Sequence, residues 1–215
     1  VRYMNDKKKD NENLTYFHLF LTAIAKLIYN RPLLNRFIIG GNKYARNEVA
    51  LSFVAKTDFS DGAKELMAVI RTCDDDNLDS LSKKVYDYVK KIRGNKKSDA
   101  DGVVQWLGRL PKVIMAFIVW IIKRLDNLDL LPRSLTQDSI YHSSVLVSNL
   151  GSIHCGGIYH NITNFGTNSI VVTIGEIKEE AMVVAGRVVS RYMCEFGVTL
   201  DERIADGVYY AKCIN

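Results

Sequence analysis

The sequence predicts a single α/β domain, and three observations lead to that prediction. Two segments, 14–30 and 77–93, carry apolar residues at the three- and four-residue spacing of a helix with one buried face. Several β-branched runs bounded by turn residues lie between and after these segments. The 215 residues are 47% hydrophobic and 25% charged, which is the composition of one compact globular domain.

The first half of the chain is predicted to be a helix, a β meander and a second helix. Pro32 ends the first helix, 14–30, because proline cannot continue it. Three β segments are then expected to form an antiparallel meander: 37–39, 49–56 and 65–71. The acidic run 74–76 is the predicted cap of the second helix, 77–93.

The segment 103–125 is predicted to form one or two helices that start or break near Pro111. It is apolar on most faces, which predicts that it is buried or packed against a partner surface. A basic amphipathic helix on a membrane surface is the sharper alternative, although its cationic face is thin. Its most apolar run, 113–122, is shorter than the roughly twenty residues of a membrane span, so no stable span is expected.

The last third of the chain is predicted to be rich in β-structure. β-branched runs predict two buried strands, at 144–147 and 169–174. A long hairpin is expected to follow, with strands 182–189 and 193–200 and a turn at 190–192. A final helix is predicted from Val208 onward.

Charge and cysteine content favour a cytoplasmic protein without nucleic-acid partners. The net charge of +5 is mild for a protein that binds phosphate backbones, and the lysine clusters at 7–9 and 90–97 lack groove-reading neighbours. The four cysteines are far apart without CxxC spacing, which is typical of free thiols in a reducing cytoplasm.

The histidines give only weak signals of chemistry. His154, Cys155 and His160 are of the right types for zinc, but the glycines between them favour a tight loop, so no metal is expected. His18 lies among apolar residues of the first helix, which favours a buried, hydrogen-bonded imidazole. His142 has no recognisable partner nearby in the sequence.

An ordered series of short motifs is more informative. LTY begins at Leu14, PLLN begins at Pro32, SNLG begins at Ser148 after an apolar strand, and DERIADG begins at Asp201 after another. A further strand, 170–175, ends in glycine. This order resembles the catalytic domain of the 2-oxo acid dehydrogenase acyltransferases, the dihydrolipoamide acyltransferases that share a fold with chloramphenicol acetyltransferase. The resemblance covers nearly the whole chain.

The resemblance implies an α+β two-layer sandwich with a chloramphenicol acetyltransferase-like fold, in which a mixed, mostly antiparallel sheet is covered by the helices 14–30 and 77–93. It implies a single acyltransferase-like catalytic domain over 1–215, which we expect to be truncated at both ends. It also implies a homotrimer with active sites between subunits, and coenzyme A as acyl donor or acceptor without a metal.

The resemblance assigns three site residues. Glu202 occupies the position of the family's general-base histidine. Free glutamate, with a pKa near 4.3 against about 6.5 for imidazole, makes proton transfer from a thiol roughly 3 kcal/mol more uphill. Ser148 stands where a hydroxyl donates to the oxyanion, although a serine that only satisfies the following turn is an equal alternative. Asp206 is expected to brace the site loop, and Gly207 to permit the turn into the last helix.

Two functions remain open at this point. The first is a CoA-dependent acyltransferase-family protein whose activity is weak or absent because Glu202 replaces the histidine, a possible pseudoenzyme. The second is a non-catalytic trimeric binding or assembly module of the same fold. Antibiotic acetylation is a third possibility, which rests on fold analogy alone.

Overall fold

The computed structural model describes residues 1–56, 65–94 and 111–214. In these ranges the chain forms thirteen helices and strands, joined in places by short 3₁₀ turns. In chain order they are α1 (Arg2–Asp10), α2 (Tyr16–Asn30), β1 (Arg36–Ile39), β2 (Asn42–Ala45), β3 (Val49–Lys56), β4 (Glu65–Thr72), α3 (Leu78–Gly94), α4 (Lys112–Asn127), α5 (Arg133–Thr136), β5 (Val145–Asn149), β6 (Ile170–Val184), β7 (Arg187–Leu200) and α6 (Gly207–Ile214).

A five-stranded mixed sheet with the strand order β4-β3-β5-β6-β7 forms the centre of the fold. The outer pairs, β3 with β4 and β6 with β7, are antiparallel and account for most of the paired residues. The short strand β5 lies parallel to both β3 and β6. The mixed, mostly antiparallel sheet that the resemblance implies is therefore confirmed.

The helices α2 and α3 cover the sheet and form one core with it, as predicted. Leu21 and Ile28 of α2 and Leu81 of α3 are almost completely buried. They share a hydrophobic cluster with residues of the sheet, including Leu51, Phe53, Val145, Val147, Val172 and Ile174. Each such side chain contributes about 1.5–3 kcal/mol through burial, so this contact is the main stabilising layer.

The start of α2 shows how His18 is used. The Thr15 backbone N–H donates to His18 Nδ1 over 3.1 Å, an interaction of the capping-box type that satisfies a free donor at the helix start. Burial lowers the pKa of the half-buried His18 below its ordinary value. The hydrogen-bonded imidazole expected from the sequence is therefore a capping group.

The cap of α3 differs from the prediction. Asn77, and not the acidic run before it, caps the helix: its Oδ1 accepts from the Ser80 N–H over 2.9 Å. Asp76 instead accepts from the Cys73 N–H over 2.7 Å and pairs with Lys84 at 2.6 Å. The predicted cap was wrong because this acidic side chain is already used by the turn that precedes the helix.

The predicted meander was partly wrong. The segment around 37–39 does not join the main sheet, because β1 pairs with β2 in a separate two-stranded sheet. The turn of this hairpin, Gly40-Gly41, has positive φ at both residues, which glycine adopts without strain. The sequence missed β2, whose residues are all exposed and carry no apolar alternation. Only β3 and β4 form the expected antiparallel pair, and the residues between them, 57–64, lie outside the described ranges.

The predicted turn at 190–192 was also wrong. The segments 169–174 and 182–189 are not separate, because β6 runs without a turn as far as Val184 and β7 begins at Arg187. The chain reverses at Ala185-Gly186, where φ is 49° and 76°. Two left-handed residues form a tight hairpin turn whose twist matches the strands. Alanine in that position gives no turn signal in the sequence, which explains the misplaced hairpin.

The apolar helix α4 begins after Pro111, as predicted. A single chain does not bury it, and packing against a partner surface, the other predicted environment, stays a prediction. Val113, Phe117 and Trp120 are 81%, 59% and 58% exposed. The remaining part of the predicted segment, 103–110, lies outside the described ranges. No helix among the described residues is both long and apolar enough to cross a bilayer.

The C-terminal turn of α4 is tied to the body of the domain by a buried pair that the sequence did not reveal. Asp126 Oδ1 lies 2.8 Å from His142 Nε2, and Asp126 Oδ2 accepts from the Gly166 N–H over 2.9 Å. The sequence shows no recognisable partner near His142, and the structure supplies one on another element: Asp126, 16 residues away in sequence. We call these three residues the α4 anchor.

The turn at Ala185 provides a stability test. Ala185→Asn should raise the free energy of unfolding by about 0.5–1 kcal/mol, because asparagine tolerates the left-handed conformation better than alanine. Urea denaturation monitored by circular dichroism measures the change. Ala185→Val should lower the stability at the same site, and equal stabilities for all three proteins would contradict the turn geometry.

The pKa of His18 predicts a pH dependence. Since burial lowers that pKa in the folded state, the unfolded state binds the extra proton first as the pH falls. The contribution of His18 to stability is thus complete above about pH 6.5 and is lost as the pH falls through the lowered value. His18→Gln keeps an acceptor for the Thr15 N–H without titrating.

Urea denaturation of the two proteins from pH 7 downward tests this assignment. The wild-type protein should lose more stability than His18→Gln as the pH falls. A difference between the two that stays constant with pH would show that the imidazole does not titrate in this environment.

Candidate functional site

Ser148 lies at the end of β5, in the SNLG motif. Its backbone is in register with Thr173 of β6, and its side chain is half-buried. The turn that follows is closed by Ser152, whose hydroxyl donates to the Asn149 carbonyl over 2.9 Å. Ser152 therefore performs the turn-closing role that was the alternative interpretation of Ser148.

The glycine of SNLG is required by a close approach between the turn after β5 and the strand β6. A Cβ atom on Gly151 would lie 2.7 Å from the carbonyl oxygen of Gly175, which is closer than a carbon and an oxygen can pack. Gly175 is the glycine that ends the motif strand 170–175. Two of the motifs that carry the resemblance therefore meet in space and depend on each other sterically.

Glu202 lies in the turn between β7 and α6 and is exposed. Its two neighbours, Asp201 and Arg203, are joined by hydrogen bonds. Arg203 Nη2 donates to Asp201 Oδ2 over 2.6 Å, and Arg203 Nε donates to Asp201 Oδ1 over 2.8 Å. These hydrogen bonds lower the pKa of Asp201. The turn is closed further by Tyr210, whose hydroxyl donates to the Asp201 carbonyl, and burial raises the pKa of Tyr210 to about 12.

Asp206 caps the last helix. Its Oδ1 accepts from the Tyr209 N–H over 2.8 Å, at the third helical residue of α6. Gly207 does not need to be glycine for the turn, because its φ is not positive and a Cβ there would meet open space. The prediction that Gly207 permits the turn was therefore wrong, and Asp206 organises this helix start.

A single chain does not bring Ser148 and Glu202 together. Ser148 is level with Thr173, which pairs with Gly197 of β7, three residues before Leu200. With strands about 4.8 Å apart and a rise of about 3.3 Å per residue, Ser148 and Leu200 are roughly 14 Å apart. Glu202 lies farther along the chain, so within one copy the two side chains are too far apart to act on the same atoms.

A cavity brings the SNLG and LTY motifs together. Its volume is about 670 Å³, and Tyr16 at the start of α2 and Gly151 after β5 lie on its wall. Three apolar or aromatic residues that the sequence did not single out also line it: Phe20, Ile177 and Tyr192. The amphipathic spacing of α2 is the only sequence signal for Phe20, and no sequence signal marks Ile177 or Tyr192.

The asparagine of the PLLN motif has a structural role. Asn35 is buried, and its Oδ1 accepts from the Ser144 hydroxyl over 2.7 Å. Its amide nitrogen donates to the Glu48 carbonyl over 3.0 Å. Asn35 therefore joins the start of β5 to the segment that enters β3.

The three metal-ligand candidates are not brought together. His154 Nδ1 lies 2.5 Å from Glu176 Oε1, and His160 Nδ1 lies 2.8 Å from the carbonyl oxygen of its neighbour Asn161. In the described ranges, 1–56, 65–94 and 111–214, there is no cluster of three or more residues that could hold a metal ion.

Sequence reasoning also missed Arg46, which follows β2. Its guanidinium donates to the carbonyl oxygens of His142 and Thr167 over 2.9 and 2.7 Å, and burial lowers its pKa to about 10. These contacts join the β1–β2 hairpin to the loops around β5. A lone arginine after a strand gives no signal for such a role.

Comparisons with known proteins were made on the sequence and on the fold. Residues 121–215 match the family model "2-oxoacid dehydrogenases acyltransferase (catalytic domain)". One curated relative is the lipoamide acyltransferase component of the branched-chain alpha-keto acid dehydrogenase complex of Bacillus subtilis (strain 168). The two sequences are 21% identical over 203 residues, and this alignment covers 94% of this chain and 38% of that relative. The chain therefore spans well under half the length of this curated relative.

Three solved structures share the fold. The cubic core of the pyruvate dehydrogenase multienzyme complex and the dihydrolipoamide acetyltransferase of Azotobacter vinelandii each give a TM-score of 0.68 at 16% identity, over 99% of this chain and 72% of theirs. A chloramphenicol acetyltransferase gives a TM-score of 0.50 at 13% identity, over 97% of this chain and 78% of that one.

The sequence match and the fold agree with each other. The matched residues 121–215 contain all three predicted site residues, Ser148, Glu202 and Asp206. The shared fold extends over the rest of the described chain. The predicted resemblance is therefore confirmed: residues 121–215 match the model of the 2-oxoacid dehydrogenase acyltransferase catalytic domain, and the fold of the described chain is similar to that of solved acyltransferases.

Proposed function

We propose that this protein is a CoA-dependent member of the acyltransferase family that moves an acyl group between coenzyme A and a second acceptor, with weak or no activity. The observation that supports the proposal is the exposed turn at Glu202, which lies within the residues that match the family model and which we assign by motif to the family's histidine position. The rest of the motif, from Arg203 to Gly207, is retained.

The chemistry requires a base, an acceptor thiol and an oxyanion donor. The base takes the proton of the acceptor thiol, the thiolate attacks the thioester of acyl-CoA, and the tetrahedral intermediate then expels CoA as a thiolate that takes up a proton. A serine hydroxyl that donates to the oxyanion contributes about 3–4 kcal/mol, and we assign that role to Ser148. Glu202, which stands in place of the imidazole base, makes the first step, removal of the thiol proton, slow.

One structural relative supports the choice of residues. The Azotobacter vinelandii dihydrolipoamide acetyltransferase was studied for the roles of one serine, one histidine and one asparagine in its catalytic mechanism. By motif, Ser148, Glu202 and Asp206 occupy the corresponding places here. On this assignment the serine is kept and the histidine is replaced, so the oxyanion donor is present and the imidazole base is absent.

We propose a homotrimer with sites between its subunits. β6 pairs with β5 only as far as Ile174, whereas its pairing with β7 continues to Val184. The outer part of this two-stranded ribbon exposes Val183, Val188 and Tyr192, and an isolated ribbon of this kind is marginally stable. A neighbouring copy that covers the ribbon would also supply the missing partner for Ser148 or Glu202. One of the relatives is the cubic core of a multienzyme complex.

The alternative is a non-catalytic trimeric binding or assembly module. The loss of the imidazole favours it, because a fold that is kept without its base keeps only its capacity to bind and assemble. Both versions place the protein in the cytoplasm, a proposal supported by its four free cysteines.

The oligomeric state tests the proposed trimer. Light scattering at micromolar concentration should give three times the chain mass, because the β6–β7 ribbon requires a covering partner. Val183→Glu combined with Val188→Glu should shift the mass to that of the monomer, since it places charges in the contact. Met67→Glu, at an exposed residue of β4, is the control. A monomeric wild-type protein would contradict the trimer.

Substitution of Glu202 tests the identity of the base. Glu202→His should give measurable acyl transfer from acetyl-CoA to a small dithiol acceptor. The rate should rise about a hundredfold if the imidazole is correctly oriented, because the substitution lowers the free-energy cost of proton transfer by roughly 3 kcal/mol. Ser148→Ala in the same background should remove most of this gain. Release of the CoA thiol is the measurement, and the trimer mass shows that each variant is folded.

Other results would favour different conclusions. If the native protein turns over and both Glu202→His and Glu202→Gln lower the rate, glutamate is the working base. If neither the native protein nor Glu202→His is active while calorimetry detects CoA binding, the binding module is correct. Absence of both activity and CoA binding in an intact trimer would overturn the CoA-dependent proposal.

A further inference from the structure

One face of α4 combines exposed aromatic and apolar side chains. Val113, Phe117 and Trp120 are spaced by four and three residues, so they lie on the same side of the helix. The rings of Phe117 and Trp120 stack, with centroids 6.0 Å apart. All three side chains are more than half exposed. We call the surface formed by these three residues and the cations Lys112, Lys123 and Arg124 the α4 face.

Cationic side chains border these apolar residues. Lys123 and Arg124 follow Trp120 by three and four residues and are therefore on the same side of the helix. Lys112 precedes Val113 at the other end. No acidic residue occurs between Lys112 and Leu125. The α4 face is therefore positively charged at both ends and apolar and aromatic in the middle.

The α4 anchor holds this helix in a fixed relation to the domain. It acts through Asp126 at the last turn, which binds His142 and the Gly166 N–H. The adjoining side of the helix carries Ile118, Ile121 and Leu125, which are half-buried. The anchored end and this half-buried side attach the helix to the domain and leave the α4 face exposed.

We propose that the α4 face docks on the surface of an anionic lipid bilayer, with the helix axis parallel to the membrane. The 16 residues of α4 span about 24 Å, and a helix in this orientation buries one apolar face at the level of the headgroups. Tryptophan and phenylalanine side chains favour that depth. Lys112, Lys123 and Arg124 complement the negative headgroups.

Charge argues against a second copy of α4 as the occupant. Symmetric packing of this helix against itself would bring the cations of the two helices together, without an acidic residue between 112 and 125 to pair with them. An anionic bilayer supplies the opposite charge to all three cations at once. The inference is independent of acyl transfer, because it uses no residue of the proposed site.

Vesicle flotation of the full chain tests the proposal. The protein should float with vesicles of phosphatidylcholine and phosphatidylglycerol, and bind vesicles of phosphatidylcholine alone much more weakly. Lys123→Gln combined with Arg124→Gln should weaken binding about thirtyfold, since each cation near an anionic surface contributes about 1 kcal/mol. Phe117→Ser combined with Trp120→Ser should remove most of the binding.

The matched control replaces two exposed aromatic residues elsewhere. Tyr86→Ser combined with Tyr159→Ser removes a similar exposed aromatic area from other surfaces and should leave vesicle binding unchanged. Circular dichroism shows that each variant is folded, and the charge variant tests the proposal even if the aromatic variant unfolds. Light scattering should give the same mass for Phe117→Ser/Trp120→Ser as for the wild type.

Three results would overturn the proposal. The first is no binding to the anionic vesicles. The second is equal loss of binding in the Tyr86→Ser/Tyr159→Ser control, which would mean that contact is nonspecific. The third is a lower mass for the Phe117→Ser/Trp120→Ser variant, which would make the α4 face an interface between copies of this chain.

Discussion

The insertion of β5 between β3 and β6 is the constraint on which the rest of the structure depends. A strand of five residues that is parallel to both neighbours cannot be positioned by a tight turn, because parallel strands require long connections. Its start is fixed instead by buried hydrogen bonds: the Ser144 N–H donates to the Ala50 carbonyl over 2.7 Å, and the Ser144 hydroxyl donates to Asn35. Since buried polar groups are costly when unpaired, these bonds allow only one register. That register sets where Ser148 emerges.

Local patterns in the sequence were enough to predict most of the helices and strands, and the resemblance implied how they are layered. The helical spacing of α2 and α3 and the β-branched runs of β3, β4 and β5 come from side chains that face one core, and burial imposes the period directly. The errors occur where the deciding feature gives no sequence signal. Asp76 is engaged by the Cys73 N–H and by Lys84, so Asn77 caps α3 instead. The hairpin reverses at Ala185, and alanine rarely adopts the positive φ found there.

The candidate site shows the same division. Its three residues were named by motif, and the structure adds local roles that spacing cannot give: Asp206 caps α6, and Ser152 rather than Ser148 closes the turn after β5. The separation of Ser148 from Glu202 follows from the register between strands, and the sequence alone does not determine that register. The partners of His142 and Arg46 come from distant parts of the chain, so pattern reading could not find them.

The steric contact between Gly151 and Gly175 bears on how such a protein changes over evolutionary time. A side chain in an exposed turn, such as that of Glu202, can be exchanged without disturbing the backbone, whereas a methyl group on Gly151 would collide with the Gly175 carbonyl and one on Gly175 would collide with the backbone of Gly156 and Gly157. Packing therefore constrains these two glycines independently of any catalytic role. A motif by which a family is recognised can thus be maintained by packing alone, so its presence does not by itself report turnover.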